Sequence, residues 1–239
     1  DEMRQSGLQV EVMPSRQSVY FENIYGENQD NRTQRVLAKA DPFTIDYLQN
    51  IEANIFHLGS LLADDFSLEV VEYLSGKGKL SIDSQGYLRE VRGTDVFPVD
   101  WEQKHEFLKY ATFLKANEQE MFSLTGYNDV EKAAKELYSW GVKEVLLTLG
   151  SNGSVIFDGT QFHLIPAYKP KEFVDATGCG DTYMTGYLYC RAKNKSIDEA
   201  GRFAAAISTL KIEAMGPFAG SRSDIERCMV EAEQTFPSL

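Results

Sequence analysis

The chain has 239 residues, of which 43% are hydrophobic and 25% charged, an ordinary composition for a globular protein with one sizeable core. Its formal net charge of −12 and pI near 4.8 argue against a nucleic-acid surface, because such surfaces neutralise phosphates with Lys and Arg. No apolar run approaches the ~18 residues that span a bilayer, and three cysteines without metal-site spacing favour a reducing, cytoplasmic protein.

Short alternating runs occupy residues 8–40. The runs "LQVEVM", "SVYFENIYG" and "RTQRVLAKA" have the apolar–polar alternation of strands, and "ENQDN" supplies turn residues between the last two. This segment therefore predicts a β-ribbon.

From about residue 41, strand-like runs alternate with helical patterns. The predicted strands are "NIFHLGSL", "KLSID", "ATFLKA" and "KEVLLTLG". The predicted helices are "LEVVEYL", "WEQKHEFLKY" and "DVEKAAKELYSWG". Such alternation is typical of parallel βαβ units whose helices cover a sheet, so we predict an α/β protein.

The last third of the chain combines a hairpin with helices. Asn-Gly and Asp-Gly pairs punctuate "GSVIFDGTQFHLIP", which predicts an antiparallel meander. Residues 182–212 read as helical, with a break near Gly201. His57 and His105 suggest no catalytic role, because a lone histidine is more often a core or rim residue.

The heptapeptide "DATGCGD", residues 175–181, contains the elements of an anion site and a base. Gly178 and Gly180 let consecutive amides point one way, and a helix that starts near Asp181 would add its unpaired first-turn N–H groups. The Asp181 carboxylate can accept a proton from a nearby hydroxyl. On spacing alone, a plain helix cap is an equally good interpretation.

This heptapeptide and the following "TYMTGYLY" resemble the signature of the ribokinase-like, or PfkB, family of sugar and nucleoside kinases. The resemblance implies a three-layer sandwich with a mostly parallel central sheet flanked by helices, plus a small β-sheet lid at residues 8–40. It implies that Asp181 is the catalytic base and that the amides of Gly178, Cys179, Gly180 and Asp181 form an anion hole. ATP and Mg²⁺ are the cofactors expected of such a kinase.

Further motifs follow the order of the family along the chain. Asn117 and Glu120 match an N-x-x-E linked to magnesium, although the same spacing makes a capping box. Thr148, Gly150 and Gly153 match a T-x-G-x-x-G that borders the nucleotide phosphates, although Asn-Gly also predicts a plain hairpin.

Other matches are less specific. Gly216 resembles the glycine beside the adenine pocket. Asp175 and Thr177, the latter also counted with the nucleotide-binding residues, match the place where several members bind a monovalent cation such as K⁺. The sequence does not decide whether this chain binds such a cation. The turn "SIDSQGYLR" resembles the family branch of inositol and nucleoside kinases, and an ordinary polar turn explains Asp83 and Arg89 equally well.

The resemblance implies one ribokinase-like domain over residues 1–239 that lacks the first strand of the family. The expected activity is ATP-dependent phosphorylation of a small sugar, polyol or nucleoside, with neither nucleic acid nor membrane as a partner. In many members the lids clasp each other, which implies a homodimer. The alternative is a noncatalytic nucleotide-binding or regulatory member of the same fold.

Overall fold

The computed structural model describes residues 2–25 and 32–235, which form two sheets and their covering helices. The strands are β1 (Tyr20–Tyr25), β2 (Arg32–Ala38), β3 (Ile55–Leu58), β4 (Lys79–Asp83), β5 (Arg89–Arg92), β6 (Asp95–Pro98), β7 (Phe113–Asn117), β8 (Glu144–Thr148), β9 (Ser154–Phe157) and β10 (Phe162–Ile165). The helices are α1 (Glu2–Gln5), α2 (Ile45–Leu48), α3 (Leu68–Ser75), α4 (Lys104–Leu108), α5 (Glu118–Thr125), α6 (Val130–Ser139), α7 (Cys179–Ala192), α8 (Ile197–Ile212) and α9 (Arg222–Thr235).

The larger sheet has the strand order β10-β9-β8-β7-β4-β3. β3, β4, β7 and β8 run parallel, and β9 and β10 continue the sheet as antiparallel strands. This topology confirms the predicted α/β class, and it confirms the meander predicted for the Asn-Gly and Asp-Gly segment.

Both faces of this sheet are buried, which explains the apolar runs in its strands. Phe113 and Leu146 face the cluster formed with α7 and α8, whereas their neighbours Leu114, Val145 and Leu147 face the cluster formed with α3, α4, α5 and α6. Helices therefore cover the sheet on two sides, and the predicted three-layer sandwich is confirmed.

The smaller sheet is antiparallel, with the order β1-β2-β6-β5. Two details of the predicted lid were wrong. Residues 8–13 form no strand, and β5 and β6 complete the lid from residues 89–98, outside the predicted segment. Those two strands are short and rich in charge, so alternation did not reveal them. The turn predicted at residues 27–31 lies outside the described residues.

The lid exposes several large apolar side chains to solvent. They are Tyr20, Ile24, Leu37 and Phe97. Dimerisation through the lid stays a prediction.

The helix break predicted near Gly201 was wrong. α8 runs through Gly201, and the chain turns earlier, at residues 193–196, where Asn194 has a φ of 57°. A Cβ atom on Gly201 would come within 2.6 Å of the Ile165 side chain, so close packing of α8 on β10 explains this glycine. Among the described residues, no helix has the length and apolar character needed to cross a membrane.

A mostly buried charge network fastens α7 to the start of β8. Glu144 accepts hydrogen bonds from the Tyr187 hydroxyl at 2.5 Å and from the Arg191 guanidinium at 2.5 and 3.1 Å. Glu144→Ala would leave the Tyr187 hydroxyl without its acceptor and the Arg191 guanidinium with the Lys195 carbonyl but without its carboxylate. We expect it to lower the free energy of unfolding by about 2–3 kcal/mol, measured by urea denaturation followed by circular dichroism.

Glu131→Ala is the matched control, because Glu131 pairs with Lys135 on the exposed surface of α6 at 3.8 Å. We expect a loss below about 0.5 kcal/mol for this variant. Equal losses in the two variants would contradict the structural role assigned to Glu144.

Candidate active site

The carboxyl ends of the parallel strands meet at one edge of the larger sheet. β4 ends at Asp83, β7 at Asn117 and β8 at Thr148. The strand register places Lys115 beside Asp83, and Thr148 beside Asn117. His57 lies near the same edge, on β3. Ligands of open α/β sheets bind outside the carboxyl ends of the strands, so this edge is the candidate site.

The heptapeptide forms the turn that begins α7. Gly178 has a φ of 76°, the left-handed conformation that favours glycine, and α7 starts at Cys179. The Cys179 amide donates to the Ala176 carbonyl at 3.1 Å. Within the described residues, the amides of Gly178, Gly180 and Asp181 are left without a hydrogen-bond partner. Such amides at the positive end of a helix suit an anion.

The first turn of α7 lies directly against the sheet edge. A Cβ atom on Gly180 would be 3.1 Å from Lys115 Nζ, so glycine leaves room for the ammonium group. The Asp181 side chain, in the same turn, is exposed. An accessible carboxylate therefore stands beside unpaired amides and a buried cation.

Lys115 is the centre of a buried ionic cluster. Its Nζ donates to Asp83 Oδ2 at 2.9 Å and lies 3.8 Å from Glu120 Oε2. Burial acts to lower the pKa of Lys115, but Asp83, Glu120 and Asp181 outweigh it and raise that pKa. Burial raises the pKa of Glu120, against the opposing effect of Lys115. Lys115 is therefore charged at neutral pH.

Asn117 and Glu120 form the capping box of α5. Asn117 Oδ1 accepts from the Glu120 amide at 2.9 Å, and Glu120 Oε2 accepts from the Asn117 amide at 2.8 Å. No group of three or more His, Cys, Asp and Glu residues suited to a metal occurs in the described part of the chain. The buried Glu120 carboxylate alone could not hold Mg²⁺. It fits that ion only if waters and the phosphates of a substrate supply the other ligands, as is usual for Mg²⁺.

The predicted nucleotide-binding glycines differ in their surroundings. Gly150 and Gly216 have φ values of 56° and 79°, and a Cβ atom on either would meet nothing within 4 Å. A Cβ atom on Gly153 would instead lie 2.1 Å from the Ile165 carbonyl oxygen. Packing against β10 therefore explains Gly153, whereas Gly150 and Gly216 border open space. Thr148 lies at the site edge, and its nucleotide role stays a prediction.

The Asp175 carboxylate is paired with the ammonium group of Lys211. Its Oδ1 accepts from the Thr177 amide at 2.9 Å, and its Oδ2 lies 3.3 Å from Lys211 Nζ. Hydrogen bonds from the amide and side chain of Thr177, together with Lys211, hold the pKa of Asp175 below its usual range. Lys211 thus pairs with one oxygen of this carboxylate, and the assignment of Asp175 as a metal ligand stays a prediction. The nucleotide role of Thr177, which is exposed, stays a prediction.

Sequence reasoning missed three residues of this region. For Lys115 and Lys211, the only sign in the sequence of a buried charge is that each lysine stands inside an apolar run. His57 was interpreted as a core or rim residue without a catalytic role. The ring of His57 is oriented by Ser81, whose Oγ lies 2.9 Å from Nδ1. Partial desolvation lowers the pKa of His57, while Asp83 and Asp181 act in the opposite direction.

A groove of about 270 Å³ lies between the lid and the loop that follows β3. Its lining residues are Lys39, Leu62, Ala63, Asp64, Arg89, Glu90 and Val91. Arg89 links this groove to the sheet edge, since its charge acts on Glu120.

These features define a protein of the ribokinase-like α/β fold. The chain belongs to the pfkB family of carbohydrate kinases, whose profile matches residues 16–223. The cytidine kinase of Thermococcus kodakarensis is 27% identical over 202 residues, which cover 81% of this chain and 68% of that relative. The ribokinase of Arabidopsis thaliana is 34% identical over 131 residues, or 51% of this chain and 34% of that relative. The chain thus spans between about a third and two thirds of these relatives.

Solved structures show the same fold over nearly the whole chain. A pyrophosphate-dependent kinase in the ribokinase family, in complex with sulfate, is 32% identical with a TM-score of 0.84, covering 94% of this chain and 79% of that chain. A pyrophosphate-dependent myo-inositol-1 kinase, altered to act as a myo-inositol-3 kinase, is 29% identical with a TM-score of 0.81, covering 96% and 79%.

Lys115→Met would leave the Asp83 and Glu120 carboxylates buried without their counter-charge. We expect the free energy of unfolding to fall by about 3–5 kcal/mol at neutral pH. Burial already raises the pKa of Glu120, and without Lys115 that pKa would lie further above its unfolded value, so the stability of the variant falls as pH rises from the unfolded pKa towards the folded pKa. The loss measured by urea denaturation should therefore be smaller at about pH 5 than at about pH 7.

Lys195→Met serves as the control, because the Lys195–Glu199 pair is half exposed. This variant should lose less than about 1 kcal/mol at either pH. A Lys115→Met loss that grows on acidification would contradict the ionic cluster.

Proposed function

We propose that this chain transfers a phosphoryl group to a hydroxyl of a small sugar, polyol or nucleoside. One observation carries the proposal: the exposed Asp181 carboxylate shares a helix turn with unpaired amides, and that turn lies on the carboxyl edge of a parallel sheet. A base and an anion site within one turn suit in-line phosphoryl transfer, which depends on positioning and charge stabilisation.

In this mechanism, Asp181 accepts the proton of the acceptor hydroxyl as that oxygen attacks phosphorus. The bond between phosphorus and the bridging oxygen of the donor breaks, and its electron pair stays on that oxygen, which leaves as part of ADP from ATP or as inorganic phosphate from pyrophosphate. The amides of Gly178, Gly180 and Asp181 stabilise charge on the transferred group, as in other preorganised anion sites. The Lys115 ammonium, next to Gly180, adds a fixed positive charge.

Magnesium would be held mainly by the phosphates of the donor. Glu120, the carboxylate of the N-x-x-E motif, would be its protein partner. When bound, it would supply charge neutralisation on the phosphates. Because Glu120 is buried and caps α5, a bridging water suits its role better than direct coordination.

Two donors are candidates. The family motifs favour ATP, with Gly150 and Gly216 bordering open space on the predicted nucleotide side. Pyrophosphate is the second, because similar solved structures are described as pyrophosphate-dependent kinases. Either donor presents a terminal phosphoryl group to the same amides.

The acceptor is proposed to lie between the lid groove and Asp181. The relatives named above act on cytidine and ribose, and the similar structures include a myo-inositol kinase. Polar groups of the groove, including Lys39, Asp64 and Glu90, suit a ligand with several hydroxyls.

Asp181→Asn removes the base but keeps the side-chain volume. We expect turnover to fall by at least ~10²-fold while the donor KM changes little, because general-base loss acts on the transition state. The measurement is phosphate transfer from ATP or pyrophosphate to a panel of myo-inositol, ribose and cytidine. Asp46→Asn, an exposed first-turn aspartate on α2, is the control and should keep full turnover.

The same panel separates the proposal from its alternative. Transfer by the unaltered chain with either donor supports a kinase, and the faster donor is assigned by its kcat/KM. Nucleotide binding by calorimetry without transfer to any acceptor would favour a noncatalytic nucleotide-binding protein. Unchanged turnover in Asp181→Asn would remove Asp181 from the assigned role.

A further inference from the structure

Lys211, near the end of α8, is almost completely buried, with 2% of its surface exposed. Its Nζ donates to the Asp175 backbone carbonyl at 3.0 Å, to Asp175 Oδ2 at 3.3 Å and to the Ala214 carbonyl at 3.3 Å. An ammonium group has three N–H donors, and three oxygens receive them. This cation is therefore fully satisfied by its surroundings.

The oxygens around Lys211 are of the kind that bind a monovalent cation: two main-chain carbonyls and one carboxylate. The ammonium group is a compact point charge held in place by its stem. Its presence at 3.0–3.3 Å from all three oxygens leaves no room for an ion at the same point. The residues present therefore do not fit a bound K⁺ at Asp175, although the family resemblance suggested one.

The same end of α8 holds the phosphate-binding turn by further contacts. The amides of Val174 and Asp175 donate to the Ile212 carbonyl at 2.9 and 3.1 Å. Ser208 Oγ donates to the Cys179 carbonyl at 2.8 Å. Lys211 thus belongs to a set of bonds that fix where the turn enters α7.

We propose that Lys211 takes the place of a monovalent cation, fixing the turn of residues 175–181 and making the protein independent of K⁺. This inference rests on the proposed function for its catalytic part, but the structural part stands without it. Lys211 is a positioning residue, because it contacts Asp175 rather than the reacting atoms. Small displacements of an anion hole are costly, since misplacement by ~1 Å can cost ~10²-fold in rate.

The test uses cation substitution and chemical rescue. The unaltered protein should show equal phosphoryl transfer, within about twofold, in potassium, ammonium, sodium or choline chloride at equal ionic strength. Lys211→Ala opens space beside the three oxygens, and its turnover in choline chloride should fall on the order of tenfold or more. Potassium or ammonium should restore much of that loss.

Two further variants sharpen the result. Lys211→Met fills the space with an apolar chain, so neither potassium nor ammonium should restore its turnover. Lys135→Ala, on the exposed surface of α6, should show no dependence on the cation. Rescue of Lys211→Ala but not of Lys211→Met identifies a cation site rather than a general salt effect.

Thermal unfolding gives a readout independent of catalysis. The unfolding midpoint of Lys211→Ala should be several degrees higher in potassium than in choline chloride, because an ion that binds only the folded state stabilises it. The midpoint of the unaltered protein should not differ between the two salts. If the panel shows no transfer at all, the proposed function fails and this measurement still tests Lys211.

The proposal is overturned if potassium stimulates the unaltered protein severalfold. It is also overturned if folded Lys211→Ala gains neither activity nor stability from any monovalent cation, which would leave Lys211 with a packing role alone.

Discussion

Two buried ammonium groups lie against the turn that begins α7. Lys115 reaches it from the sheet and lies next to Gly180, while Lys211 reaches it from α8 and binds Asp175. Each cation also binds a carboxylate of its own, which offsets the cost of burying its charge. The amides of the turn are thereby presented at one place relative to the strand ends, and a preorganised anion site requires that placement.

The architecture could be predicted because its signals are local. Parallel strands buried on both faces read as apolar runs, and the capping and turn residues between them mark the element ends. β5 and β6 were not predicted, because their sequences REVR and DVFP have neither the length nor the apolar content of a core strand. β5 and β6 form a local hairpin, which is joined to the lid through the pairing of Asp95 on β6 with Arg35 on β2. Because those two residues are far apart in sequence, this part of the lid depends on tertiary structure.

The site was predictable only in the part that is contiguous in sequence. "DATGCGD" contains its chemistry within seven residues, and the αL conformation of Gly178 follows from the need to turn into α7. The partners of that turn come from β7 and from the end of α8: Lys115 lies 65 residues before Gly180, and Lys211 lies 31 residues after it. A lysine in an apolar run shows that a charge is buried, but only the strand register shows that Asp83 is the carboxylate beside Lys115.

The proposed site combines a strongly acidic chain with an anionic phosphoryl donor. A net charge of −12 would repel a phosphate donor from most of the surface. At the site, however, Lys115 and Lys211 bring positive charge close to α7, and the helix adds the partial charge of its first turn. Both lysines are buried, so solvent and salt screen them far less than they screen the exposed carboxylates. Each ammonium group is paired with a carboxylate, so in the proposed mechanism the donor is bound by the directed N–H groups in the first turn of α7 rather than by a net positive charge of the site.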